Sequence, residues 1–158
     1  IREKTGEHAV ILNDADAAGL AEMRFGDESL KQYEVVMFLT VGTGIGSALF
    51  VRGQLMPNTE LGHLEIRGKD AEHRASAGIK TREKLTFKQW AARFNEVLLT
   101  YEALLNPEIF VLGGGISSSF EKYSKYFTTK VPVVAAKLQN LAGIIGAAMA
   151  AHEKYPQK

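Results

Sequence analysis

Asn13 and Asp14 follow a short apolar run at residues 9–12 and precede Ala15, Ala17, Ala18, Leu20, Ala21 and Met23, whose spacing suits a helix. A carboxylate at the end of a strand is presented rigidly to a cleft, where it can act as a general base. The amide beside it can both donate to and accept from hydroxyl groups. Either side chain is equally suited to capping the new helix, whose first N–H groups lack acceptors. A second polar group is Asn58, Thr59, Glu60, Leu61, Gly62 and His63. An ionised Glu60 can accept from two vicinal hydroxyls, His63 can bridge another, and Gly62 permits close approach of backbone and ligand. The same run also reads as an irregular surface turn.

Two glycine-rich stretches complete the set of candidates. Gly42, Thr43, Gly44, Ile45 and Gly46 can wrap a phosphate with backbone N–H groups, given the positive φ of a nest. No Gly-Lys-Ser or Gly-Lys-Thr follows, and strand-like sequence stands where a dinucleotide fingerprint needs a helix, so neither phosphate motif is met. A tight hairpin explains part of the run as well. Gly113, Gly114 and Gly115 after a strand let a nucleotide approach or simply turn the chain into a helix. His63 has no second histidine at a metal-site spacing, and with no cysteine in the chain a metal centre is not expected. His8, His73 and His152 lie in polar surroundings and read as surface residues.

The elements that must position these residues follow from periodicity. Residues 35–41 and 47–51 are apolar runs joined by the first glycine stretch, which predicts a hairpin, with a turn at 52–54. Residues 64–67 suggest a third strand, and the charged, alanine-containing 68–78 reads as a surface loop or short helix. Phe87, Trp90, Ala91, Phe94, Leu98, Tyr101 and Leu105 recur at helical spacing and predict a helix over 87–105. Thr86 and Gln89 form a possible capping box, and Asn106 and Pro107 stop the helix. The shared aromatic face assigns Trp90 to core packing rather than to a stacking platform. Residues 108–112 predict a buried strand, 119–127 a helix, 131–134 another strand, and Asn140 a cap for a final helix through residue 150. Strands alternating with helices after a glycine-turned meander predict an α/β fold with a mixed sheet and flanking helices, organised as one domain over 1–158.

A chain of 158 residues can bury one sizeable core, roughly 68–70% of its extended surface. Lysine and arginine total 19 against 18 acidic residues, a formal charge of +1, so no nucleic-acid footprint is expected. The apolar stretches are too short for a membrane span and no signal peptide is visible, which fits a cytoplasmic protein. The opening residues 1–8 are mostly polar.

Five ordered segments resemble the repressor, open-reading-frame and kinase (ROK) superfamily: Asn13-Asp14-Ala15-Asp16-Ala17-Ala18-Gly19, Gly42-Thr43-Gly44-Ile45-Gly46, Glu60-Leu61-Gly62-His63, Gly113-Gly114-Gly115-Ile116-Ser117, and Leu141-Ala142-Gly143-Ile144-Ile145-Gly146-Ala147-Ala148. The run from Asn58 to Glu65, with Gly68-Lys69-Asp70-Ala71-Glu72 after it, is similar to the polyphosphate glucokinase branch. The resemblance implies an actin-like, ribonuclease H-like sugar-kinase lobe that transfers phosphate from polyphosphate or ATP, with Mg²⁺, to the 6-hydroxyl of glucose. It implies Asp14 as general base, Asn13, Asn58, Glu60 and His63 as sugar contacts, and Gly42, Thr43, Gly44, Gly46 and Gly113 to Gly115 as phosphate and nucleotide contacts. The cysteine cluster that holds zinc in many relatives is missing, so zinc is not expected. The Asp-x-Gly-Gly-Thr phosphate loop of the family's N-terminal lobe is also missing, so the resemblance covers the later lobe and full activity is expected to need the other. A homodimer through this lobe is implied. The same family resemblance leaves open the sugar-sensing domain of a transcriptional regulator, or a non-catalytic binding or dimerisation module.

Overall fold

A computed structural model describes residues 9–155. Its centre is a mixed sheet of β1 (Val35–Val41), β2 (Ile45–Val51), β3 (Gln54–Met56), β6 (Ile109–Gly113) and β7 (Val133–Ala135), in the order β3-β2-β1-β6-β7. Strands β1, β2 and β3 form an antiparallel meander, whereas β6 is parallel to β1 and β7 is parallel to β6. Between them lie the small hairpin β4 (Glu65–Ile66) and β5 (Lys69–Asp70) and the helices α2 (Ala71–Ala75), α3 (Ala77–Arg82) and α4 (Phe87–Leu105). Helix α1 (Asp14–Phe25) precedes the sheet and α5 (Ala142–Lys154) closes the fold.

The strands read as unbroken apolar runs because both faces of the sheet are covered. Met37, Leu39, Leu49, Phe110 and Leu112 face α4 and share a core with Trp90, Phe94 and Tyr101. Val36, Phe38, Ala48, Phe50 and Val111 face the opposite way and pack with Ala18, Ala21 and Ala142 of the α1 and α5 layer. Helix α4 spans the range its periodicity predicts: Thr86 and Gln89 form the capping box, and Asn106 ends the helix in the left-handed region at φ 47°. Trp90 is fully buried, stacks on Phe94 at 5.1 Å and donates its indole N–H to the Ala75 carbonyl at 2.8 Å. Small residues set the other layer, since a Cβ on Gly146 would stand 1.7 Å from the Ala17 carbonyl oxygen.

Several boundaries differ from the sequence reading. Residues 9–12 form no strand, because neither sheet edge runs beside them, and Ile11 is 90% exposed. Strand β2 begins at Ile45 rather than 47, since the ladder closes down to the Val41 and Ile45 pair. The turn falls on Arg52 and Gly53, both at positive φ, and the chain returns as β3, a strand the turn reading left out. Of the two readings of residues 68–78, loop or short helix, the helix holds from Ala71 on, as α2 and the start of α3, and Ala71, Ala75 and Ile79 are buried there rather than on the surface. The expected strand at 64–67 shrinks to two residues that turn at Arg67 and Gly68 into β5. Residues 119–127 form tight 3₁₀ turns instead of a helix, with buried Tyr123 donating to the Ile116 carbonyl. The cap position of α5 is Leu141, which makes no side-chain cap bond, and the side chain of Asn140 lies outside the described residues.

Candidate functional site

The sheet register brings the chemistry to one end. Thr40 stands opposite Gly46 on one side and Gly113 on the other, so the loops after β1 and β6 emerge side by side, with the start of β2 between them. The N-terminus of α1 faces the same end. Asp14, Thr40, Gly42, Thr43, Gly44, Ile45, Gly46, Glu60, Glu72 and Gly114 line a single open cleft of about 340 Å³.

Asn13 and Asp14 divide the roles that sequence left open. Asn13 is the cap: its Oδ1 accepts from the N–H groups of Ala15 at 2.9 Å and Asp16 at 3.4 Å. Its Nδ2 donates to Glu60 Oε1 at 3.0 Å, tying the helix start to the second polar group. Asp14 is the first helical residue, exposed, and its carboxylate has no hydrogen bond or ion pair among the described residues. It therefore stands at the positive end of α1 as an ionic acceptor open to the cleft.

The segment carrying Glu60 is held from three sides, which makes it more than a surface turn. Buried Ser47 on β2 donates to the Thr59 carbonyl at 2.6 Å and accepts the Leu61 N–H at 3.2 Å. Thr59 returns a bond to the Ser47 carbonyl at 2.9 Å. Tyr101, reaching from α4, donates its hydroxyl to the Leu61 carbonyl at 2.6 Å, and burial pushes that phenol well above its ordinary range. Asn58 sits at φ 58° and gives its N–H to Asp16 at 2.8 Å, so in this structure it shapes the loop and does not line the cleft. At Gly62 a Cβ would fall 2.1 Å from the Ile45 carbonyl oxygen, and only glycine lets the loop pass this close to β2.

Asp16 is a residue that sequence reasoning passed over. It is fully buried, one oxygen holds Asn58, and the other has no hydrogen-bond partner among the described residues. Burial, with Glu60 and Asp14 nearby, raises its pKa above 3.8 against the lowering effect of the Asn58 bond. Glu72 was also missed, because it lay in a stretch read as a surface loop or short helix. Its Oε2 accepts the Ile45 N–H at 3.3 Å across the glycine turn, and its position as the second residue of α2 aims it into the cleft. The four-residue spacing of Ala71 and Ala75 on either side of it was the available signal.

The glycine turn itself departs from nest geometry. Gly42, Gly44 and Gly46 have no positive φ; the turn closes by Gly42 N–H donating to the Gly44 carbonyl at 3.0 Å. Close approach bears on glycine most at Gly46, where a Cβ would stand 2.5 Å from Thr40 Oγ1 and 2.9 Å from Ala15 Cβ; one on Gly44 would meet the flexible end of Glu72 at 2.5 Å, and one on Gly42 would meet nothing within 4 Å. In the second stretch only Gly114, at φ 78°, lines the cleft. Gly113 packs under the Phe38 ring, where a Cβ would stand at 2.8 Å, and Gly115 faces open space. His63 lies beside the cleft: its Nδ1 bonds Asp70 at 3.2 Å, which with Glu72 raises its pKa. Among the described residues no group of three or more metal-ligating side chains is placed to hold an ion.

Comparison with known proteins adds the lineage. Residues 1–80 match the ROK family. The sequence is 49% identical over 148 residues to a polyphosphate glucokinase of Mycobacterium tuberculosis, covering 94% of this chain and 56% of that protein. The fold superposes with a TM-score of 0.92 on the inorganic polyphosphate/ATP-glucomannokinase of an Arthrobacter strain, at 42% identity over 98% of this chain and 60% of that one. A ROK family glucokinase from Streptomyces griseus, solved with glucose and AMPPNP, shares the fold at a TM-score of 0.78 and 21% identity, over 96% of this chain and 70% of that one. The chain thus spans a little over half the length of the polyphosphate-using relative it matches in sequence.

Proposed function

This chain belongs to the ROK family, and on that premise we propose that its cleft phosphorylates glucose at the 6-hydroxyl with polyphosphate or ATP as donor. The observation that carries the reading is the unpartnered Asp14 carboxylate facing the glycine turn across a cleft that Glu60 and Glu72 also line. Asp14 accepts the proton of the 6-hydroxyl as its oxygen attacks the terminal phosphorus; the new O–P bond replaces the bridging P–O bond, and the shortened donor leaves with that bridge oxygen. Glu60, oriented by Asn13, accepts sugar hydroxyl protons. His63 and Asn58 support this sugar side, His63 through its contact with Glu72 and Asn58 through Asp16.

The Thr43 and Gly44 N–H groups have no backbone acceptor among the described residues and are available to the transferring phosphate. Gly114 borders the cleft on the neighbouring loop, where its φ of 78° and a Val41 backbone 2.7 Å from any Cβ call for glycine. Mg²⁺ is held in such sites by donor phosphates, waters and one or two carboxylates, and Glu72 is the cleft carboxylate suited to that share, leaving Asp14 for the proton. The ion would supply charge neutralisation on the phosphoryl oxygens.

The kinase reading is favoured over a sugar-sensing regulator by the identity to polyphosphate-using kinases and by the free state of Asp14. We place the reaction in the cytoplasm, where such donors occur, and expect a homodimer. Among the described residues no helix is long and apolar enough to cross a membrane. The test is formation of glucose 6-phosphate by the longest natural polypeptide that carries this sequence, assayed with each donor. Product with at least one donor is expected; sugar binding without product from either would leave a sensor.

A further inference from the structure

Beside the cleft lies a second, basic basin that the transfer chemistry does not use. Arg67, Lys69, His73, Arg74, Glu83 and Arg93 line a pocket of about 270 Å³. Arg67 and Arg74 share one carboxylate, Glu96, at 2.9 and 2.5 Å, and Arg93 pairs with Glu83 at 2.7 Å. Lys69 has no ion-pair partner among the described residues. Four permanent cations therefore face two carboxylates, and Arg74 is held in place with its side chain only 18% exposed. The near-neutral total charge of the chain, +1, gives no hint of this local excess.

The basin is continuous with the cleft. His73 is shared with an adjoining pocket of about 460 Å³ whose walls include Ser76 and Arg82, and that pocket shares Thr43, Gly44 and Glu72 with the cleft. The acidic residues along the way are not left bare: Asp70 contacts both His63 and His73, and Glu72 the same two histidines, which offset their charge only when protonated. We propose that this basin binds the distal phosphates of a polyphosphate chain whose terminal phosphate lies at the glycine turn, an inference that rests on the kinase reading above. Fixed guanidinium groups suit successive phosphate oxygens, and a donor of only three phosphates ends before the basin. The basin then favours long polyphosphate over ATP without touching the reacting atoms.

The test uses Arg67→Ala combined with Lys69→Ala, both exposed, with Arg67 71% so, which leaves the core intact. Long-chain inorganic polyphosphate, tripolyphosphate, a single-stranded RNA oligomer and glucose are titrated into wild type and variant. Affinity for long-chain polyphosphate is expected to fall about tenfold, with the slope of log K against log salt smaller by about one to two, while tripolyphosphate and glucose affinities hold. In turnover by the longest natural polypeptide, KM for long polyphosphate rises by the same factor and kcat and KM for ATP do not move. Unchanged affinity for the long chain overturns the proposal, as does RNA binding as tightly as polyphosphate with the same loss in the variant. If wild type makes no glucose 6-phosphate yet the double variant still loses polyphosphate, the kinase reading fails and the basin stands; product formation with an unaltered variant shows the reverse.

Discussion

Asp16 is the buried member of a carboxylate group with Asp14 and Glu60, and it controls the site without lining it. Its folded pKa is raised above the ordinary 3.8, chiefly by burial. A carboxyl raised on folding contributes stability below its unfolded pKa, and that contribution is lost as pH rises through the folded value. Asp16→Asn keeps the acceptor for the Asn58 N–H and carries no charge. The stability of Asp16→Asn relative to wild type should therefore grow between pH 4 and pH 7 in thermal unfolding, and a difference constant with pH would remove the buried charge from the account. At this scale the sequence singled out Asp14 and Glu60, each with a cap or a turn as its alternative, and the structure brings both to one cleft. It was not readable at Asp16, which the alanine run around it made look like one more helical residue, nor at Glu72. Both act through partners distant in the chain, Asn58 at 42 residues and Ile45 at 27. The glycine turn was found for a partly wrong reason, since none of its glycines has positive φ and crowding arises only at Gly44, against Glu72, and at Gly46, against Thr40 and Ala15.

Elements with one long periodic face were the legible ones. Helix α4 and strand β1 match their sequence ranges because nineteen and seven residues repeat one pattern. Strands β3, β4 and β5 hold two or three residues each, too few to show alternation, and are fixed by pairing alone. The contact between α1 and α5 is set by absent side chains. Gly146 abuts the Ala17 carbonyl, whereas a Cβ on Gly143, one turn earlier, would meet nothing within 4 Å. Gly143→Ala should therefore stabilise the fold by ~0.5 kcal/mol through helix propensity. Gly146→Ala should destabilise it by about 1–3 kcal/mol through overpacking. Urea unfolding of the two variants checks the contrast, and equal shifts would contradict the close approach of the helices.

At the scale of the whole molecule, the mixed sheet collects three loops and a helix start at one end, which is why residues from Asp14 to Gly114 meet in one cleft. Away from it, Leu141 and Ile144 at the start of α5 are 62% and 73% exposed, surface that the proposed homodimer would cover. Sedimentation velocity at micromolar concentration should show a dimer; a monomer throughout that range would contradict this. The alternation of strands and helices made the fold class legible, but the partition of the apolar residues into two layers emerges only once the strands are ordered. The central claim, that Asp14 is the base of a sugar kinase, is tested most directly by measuring kcat and glucose affinity together for Asp14→Asn in the longest natural polypeptide that carries this sequence. The account predicts a fall in kcat of about 10²–10⁴-fold with glucose affinity nearly retained; turnover close to wild type by the folded variant would contradict it.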